Sequence, residues 1–245
     1  MVCTTLRRWV SGLKGTPLHP QWFAFRHNAE TGAEVAMLAR GIVLDIGCAD
    51  MKIRRYLDAA CDYIGLDHYL TGHGLYRSRP SVFADAAALP FASTSVDCVL
   101  LLDVLEHVPD PRRVLAEIGR VVRRDGLLIL QVPFLYPIHD APYDFQRWTV
   151  HGLKRLASEH GFRVERQHSI GEPLETAALA FNIALSKTVL NALQRRNPLS
   201  LLSIFLLPIV LVNNLLSWLI SRIAPADGMM PHAYRLVLVK DRSCT

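Results

Sequence analysis

Three aspartates close short apolar runs in the first 85 residues, and two histidines follow later runs of the same kind. Asp45 lies in IVLDI (42–46), and Gly47 follows it in VLDIGCADM (43–51). A turn from strand to helix at such a point presents backbone N–H groups to a ligand, and a small residue lets the ligand come close. Asp67 ends the next run, YIGLD (63–67). A carboxylate there can accept hydrogen bonds from both hydroxyls of a ribose. Asp85 ends SVFAD (81–85), where it could hold the amino group of an adenine. Acids end strands in many proteins, but three at successive strand ends are far more specific.

Candidates for proton transfer come next. Glu106 and His107 follow a fourth apolar run, and Tyr136, His139, Asp140, Tyr143, Asp144 and Arg147 crowd the segment PFLYPIHDAPYDFQRW (133–148). Histidine changes charge near neutral pH, so His107 and His139, with Asp140 beside them, are the candidate catalytic groups. Glu106 and His107 could equally serve to fix the loop before Pro109. No metal site is expected. His139, Asp140 and Asp144 offer donors, but their spacing matches no established ligand pattern.

The elements that must position these residues alternate. Residues 29–39 are helix formers, IVLDI is a strand, KIRRYLDAA (52–60) reads as a helix, and YIGLD and SVFAD are the second and third strands. VDCVLLLD (96–103) is a continuously apolar fourth strand, as expected where both faces are covered. PRRVLAEIGRVVR (111–123) is a helix with proline in its first turn, Asp125-Gly126 is a turn, and GLLILQV (126–132) is a fifth strand. TVHGLKRLASEH (149–160) is a helix between a threonine cap and Gly161, followed by FRVERQHS (162–169) and, much later, AYRLVLVK (233–240). Such alternation predicts an α/β fold: a mostly parallel sheet with helices on both faces and its ligand at the carboxyl ends of the strands.

These segments together resemble the class I S-adenosylmethionine-dependent methyltransferases, in particular the group related to ubiquinone- and menaquinone-type methyltransferases. VLDIGC is similar to that family's first motif and YIGLD to its second. ADAAALPFASTSVDCVLLLDVLEHVPDP (84–111) is similar to its long central signature, and RVVRRDGLLILQVP (120–133) to its fifth-strand motif. The resemblance spans roughly residues 40–170. It implies a Rossmann-like, doubly wound, seven-stranded sheet with S-adenosylmethionine as cofactor. It also implies Asp45, Gly47, Cys48 and Ala49 at the methionine end, Asp67 on the ribose, His68 flanking the adenine, Asp85 and Ala86 at its edge, and Asp103 under the sulfonium. The chain departs from the family where Ala49 and Met51 replace usual glycines. A nicotinamide dehydrogenase would also use an acid such as Asp67, but the G-x-G-x-x-G spacing that a pyrophosphate needs is missing.

After the sixth strand the pattern changes. Residues 174–194 are mostly apolar, Arg195-Arg196-Asn197-Pro198 interrupts, and LSLLSIFLLPIVLVNNLLSWLI (199–220) has no charge. By length this could span a bilayer. Yet the seventh strand must rejoin the sheet, so the insert crosses twice or not at all, and two crossings would carry Arg195-Arg196 to the far side, against the positive-inside tendency. Ser200, Ser203, Asn214, Ser217 and Ser221 share one helical face, which suits a shallow interfacial hairpin with Trp218 and Arg222 at the boundary. A helical pair buried in the core or in a dimer is the alternative.

The expected division is therefore an N-terminal cap (1–28), a methyltransferase core (29–171 and 231–240) and an apolar helical insert (172–230). Mean hydropathy is +0.20 and the net charge +5, with 22 Arg against 5 Lys in scattered pairs. No run is long enough to form a nucleic-acid arm, so nucleic acid is not an expected partner. The five cysteines form no pair with metal or disulfide spacing, which fits a reducing compartment. No cleaved signal peptide is read at the N-terminus. The expectation is methyl transfer to a hydrophobic or lipid-linked acceptor by a cytoplasmic protein at the inner face of a membrane. A non-catalytic scaffold of this fold, and a soluble small-molecule or RNA methyltransferase, stand as alternatives. The oligomeric state stays open.

Overall fold

The computed structural model describes residues 12–71, 79–225 and 227–241; Cys3, Cys244 and Arg7-Arg8 lie outside them. Along the chain run α1 (Trp22–Arg26), α2 (Asn28–Leu38), β1 (Ile42–Ile46), β2 (Asp62–Asp67), β3 (Val82–Phe83), β4 (Val96–Leu102), α3 (Pro111–Val121), β5 (Val122–Pro133), α4 (Val150–Ser158), β6 (Phe162–Ile170), α5 (Pro173–Gln194), α6 (Ser203–Ile223) and β7 (Ala233–Lys240). They form two compact units. One holds the described parts of 30–134, 138–169 and 233–245; the other holds those of 1–29, 135–137 and 170–232.

In the first unit a seven-stranded sheet has the order β3-β2-β1-β4-β5-β7-β6. The pairs among β1 to β5 are parallel, and β7 runs antiparallel to β5. The order reverses between β1 and β4, which opens a crevice beyond their carboxyl ends, where such sheets bind ligands. The central strands are mostly apolar because both their faces are covered. Leu44, Ile46, Val99 and Leu101 pack with Val114, Leu115, Ile118 and Val121 of α3 in one layer. Val43, Cys98, Leu100 and Ile129 pack with Val35 and Ala39 in the other. α3 starts at Asp110, whose side chain accepts the Arg113 N–H, with Pro111 in its first turn. Thr149 caps α4 by accepting the Gly152 N–H.

Three local expectations give way. KIRRYLDAA forms only a 3-10 turn, Lys52–Tyr56, none of whose residues is fully buried, so little packing holds a longer helix. SVFAD contributes two strand residues at the sheet edge. Asp125-Gly126 makes no separate turn. It lies within β5, where the pairing jumps from Val96↔Val122 to Cys98↔Leu127 and Asp125 takes a positive φ of 60°. The surplus residues are absorbed as a bulge.

In the second unit α5 and α6 pair through amides. Asn182 Nδ2 donates to Asn214 Oδ1 at 2.9 Å, and Asn213 Nδ2 donates to Asn182 Oδ1 at 2.9 Å. Asn214 Nδ2 also donates to the carbonyls of Pro17 and His19, and Phe23 packs with Ala178 and Leu179. The polar stripe expected to face headgroups therefore turns inward. Asn214 and Ser217 are buried because protein partners satisfy amides that an apolar surround would leave stranded. The outward face of α6 carries Ile204, Phe205, Val212, Leu216, Leu219 and Ile223, all exposed.

Candidate active site

A cavity of about 780 Å³ opens beyond the carboxyl ends of β1, β2 and β4. Ten of the twelve residues singled out from sequence line it: Gly47, Ala49, Asp67, His68, Asp85, Ala86, Asp103, His107, His139 and Asp140. Asp45 and Cys48 stand outside the lining. Asp45 is buried and accepts the Tyr63 hydroxyl at 2.6 Å, and burial pushes its carboxyl up to about 7 against the pull of that bond. Cys48 is buried behind the turn, its thiol pushed up to about 12 by burial and by Asp45.

The turn after β1 is built from left-handed residues. Gly47 has φ 72°, and a β-carbon there would run into the Val104 side chain. Ala49 and Met51, the two departures from glycine, take φ 44° and 54°. The chain keeps the backbone of a glycine-rich loop and accepts the strain of roughly 1–2 kcal/mol per residue that an L side chain meets there. Asp67 holds this turn from the end of β2. Its Oδ2 accepts the Ala49 N–H at 3.0 Å and its Oδ1 the His68 N–H at 2.8 Å. Asp85 is exposed at the rim, Oδ1 accepting the Ala87 N–H, and Leu66, Ala84, Ala86 and Val108 give an apolar wall. These features fit a nucleoside with its ribose on Asp67.

The far wall is formed by the loop after β4 and the loop after β5. Asp103, at φ 55°, accepts the Gln131 side-chain N–H at 2.9 Å, and burial raises its carboxyl above the usual range. The Glu106 carbonyl accepts the Phe145 N–H and the Val108 carbonyl accepts from Gln146, which ties the two loops together. The Arg147 guanidinium holds Asp144 well below the usual carboxylate range. Glu106 is fully buried, and burial, reinforced by Asp103, pushes it up to about 9.

One network escaped the sequence reading. Gln131 and Arg235 face each other across β5 and β7. Arg235 Nε donates to Glu34 at 2.6 Å, Thr31 donates to Gln131, and His168 pairs with Glu34. Polar residues inside the apolar runs GLLILQV and AYRLVLVK were the available signal. Through Gln131 this buried chain reaches Asp103.

Comparison with known proteins follows the same lines. A family described as a methyltransferase domain matches residues 44–130. An uncharacterized methyltransferase of Mycolicibacterium paratuberculosis is 30% identical over 177 residues, 65% of this chain and 68% of that protein. A demethylmenaquinone methyltransferase of Renibacterium salmoninarum is 38% identical over 82 residues, 31% of this chain and 33% of that protein. The chain spans about a third of the length of several curated relatives it matches. Among solved structures, the [4+2]-cyclase SpnF superposes with a TM-score of 0.55 at 14% identity, over 89% of this chain and 81% of that one. A cyclase on this fold shows that the fold alone does not fix the reaction. The chain belongs to the class I S-adenosylmethionine-dependent methyltransferases.

Proposed function

We propose that this protein transfers a methyl group from S-adenosylmethionine to a hydrophobic or lipid-linked acceptor at a membrane surface. When bound, the cofactor supplies an electrophilic methyl group on a sulfonium. Asp67 holds the ribose, Asp85 and Ala86 meet the adenine edge beside His68, and the turn Gly47–Ala49 takes the methionine end. Asp45 and Cys48 shape that turn from behind. Asp103 lies where negative charge would favour the sulfonium. His107, His139 and Asp140 are the groups placed to meet the acceptor. Much of the acceleration then comes from holding the acceptor in line and close.

The observation that carries the membrane reading is the outward face of α6, apolar along its whole length while its amides point inward. α5 and the stretch Pro198–Ile223 are both long and apolar enough to cross a bilayer. An apolar face of this extent exceeds what a soluble monomer shows. The similarity to a demethylmenaquinone methyltransferase supports a quinone-like acceptor. We read residues 172–230 as a membrane-seated hairpin and the N-terminal segment as its cap. Arg195, Arg196 and Arg222 near the helix ends suit an anionic lipid surface on the cytoplasmic side. Flotation with anionic vesicles tests this. The protein should rise with the lipid, and Leu216→Glu/Leu219→Glu should remain below. A detergent-free homodimer that ignores vesicles would sink the membrane reading and assign the face to a second copy.

A further inference from the structure

Glu106 ends in an arrangement that methyl transfer does not require. Its carboxylate is 0% exposed, and neither oxygen has a hydrogen-bond partner. A buried carboxyl whose oxygens both lack partners is costly in either protonation state unless something else meets it. Two imidazole nitrogens point at it. His107 Nε2 lies 3.6 Å and His139 Nε2 3.8 Å from Glu106 Oε1, too long for hydrogen bonds. One donor atom from each of the three residues lies within 4.8 Å of the others.

The remaining ring nitrogens are spoken for. His107 Nδ1 lies 2.9 Å from the Tyr143 carbonyl oxygen, which only accepts, so Nδ1 carries the proton. His139 Nδ1 lies 3.2 Å from Asp144 Oδ2, with Arg147 Nη2 farther off at 3.4 Å. A backbone carbonyl behind the His107 imidazole is the kind of support that orients a metal-bound histidine and leaves Nε2 as the ligand atom, and the His139 ring stands between the Asp144 carboxylate and the Arg147 guanidinium with its Nε2 toward Glu106. Nitrogen and oxygen donors around a tetrahedral ion sit roughly 3.3–3.5 Å apart, given bond lengths of about 2.0–2.2 Å. The two Glu106–His spacings need only a small contraction, and the third pair of donors already lies within 4.8 Å.

We propose that Glu106, His107 and His139 bind a divalent first-row transition metal ion, zinc foremost. Two imidazoles and one carboxylate favour such an ion over magnesium, which prefers oxygen donors and retained water. Three protein ligands leave a coordination position open, as in sites where an ion takes water or substrate. His107 and His139 line the cavity, so that position lies on its side of the cluster. This gives the two histidines a ligand role in place of proton transfer. The sequence spacing gave no hint of it, because Glu106-His107 and His139 come from separate loops.

The test needs neither cofactor nor acceptor, so its outcome is independent of the methyl-transfer reading. Full-length protein in detergent, stripped with a chelator, is titrated with zinc by calorimetry and loaded with cobalt for its visible spectrum. One ion per chain and the bands of a four- or five-coordinate cobalt site are expected. His139→Ala and Glu106→Gln should each weaken zinc binding at least about tenfold, the loss seen even for outer partners of metal ligands. His151→Gln, on the exposed side of α4, should leave it unchanged. Thermal melting establishes that each variant is folded. Absence of binding by folded wild-type protein, or equal affinity in Glu106→Gln and His139→Ala, overturns the proposal.

Discussion

Asp67 Oδ2 accepts the backbone N–H of Ala49 at 3.0 Å, so the end of β2 holds the turn that leaves β1. The residue proposed to bind ribose also fixes the loop proposed to hold the methionine end. Two functions rest on one carboxylate.

Replacing Asp67 by alanine should therefore weaken S-adenosylmethionine binding at least about tenfold. A hydrogen bond to a charged acceptor contributes about 1.5–3 kcal/mol, and about 1.4 kcal/mol is already a factor of ten. Calorimetric titration with S-adenosylmethionine and S-adenosylhomocysteine reads the change. Unchanged affinity in a folded variant would remove the ribose assignment.

Ala49→Gly and Met51→Gly should stabilise the fold, each by about 0.5–1.5 kcal/mol, because glycine adopts a positive φ without the clash of a β-carbon. Denaturant midpoints read it. A loss of stability in both variants would mean that the side chains contribute more than the strain costs.

Asp45 should make stability fall as pH rises. Its folded pKa, about 7, is raised above the ordinary carboxyl value of 3.8, so the proton is bound more tightly in the native state. The favourable contribution is complete below the unfolded pKa and is lost as pH climbs to about 7. About three units correspond to a few kcal/mol, on the order of 2–4. Tyr63, Asp67 and Cys48 are the groups that interact with it. Asp45→Asn should thus be more stable than wild type at pH 8, with the gap closing toward pH 4. Parallel stability curves for the two proteins would refute this assignment.

Asn214→Leu should lower the melting temperature measured in detergent. It strands the Pro17 and His19 carbonyls and the Asn182 amide, at about 1–3 kcal/mol for a buried group left unpaired. Asn213→Leu, which loses one bond to Asn182 and a weaker one to the Ala178 carbonyl, should cost less. Equal effects would show that the seam does not depend on Asn214.

The sheet was legible because its strands are apolar runs ended by acids, and a parallel sheet covered on both faces needs such runs. IVLDI and VDCVLLLD appear within a residue of their expected ends. The cavity lining was legible for the same reason, since strand ends converge at the switch point. Long-range pairings were not. The Arg235–Glu34 bond joins residues 201 apart in sequence, and although Arg235 interrupts an apolar run, nothing local names Glu34 as its partner. The hairpin's apolar length was plain. Which way its amides turned depended on Asn182, which lies one helix away from Asn214.

β6 sits at the edge of the sheet beyond β7, and residues 171–232 separate the two in the chain. At about 5–20 residues per second, β7 follows β6 from the ribosome by roughly 3–12 s. Throughout that interval the sheet lacks Arg235 and its place beside β5, while α5 and α6 have already been made. If the hairpin is seated in lipid as proposed, its capture can come before the sheet closes, making docking an early step of biogenesis rather than something the finished protein does later.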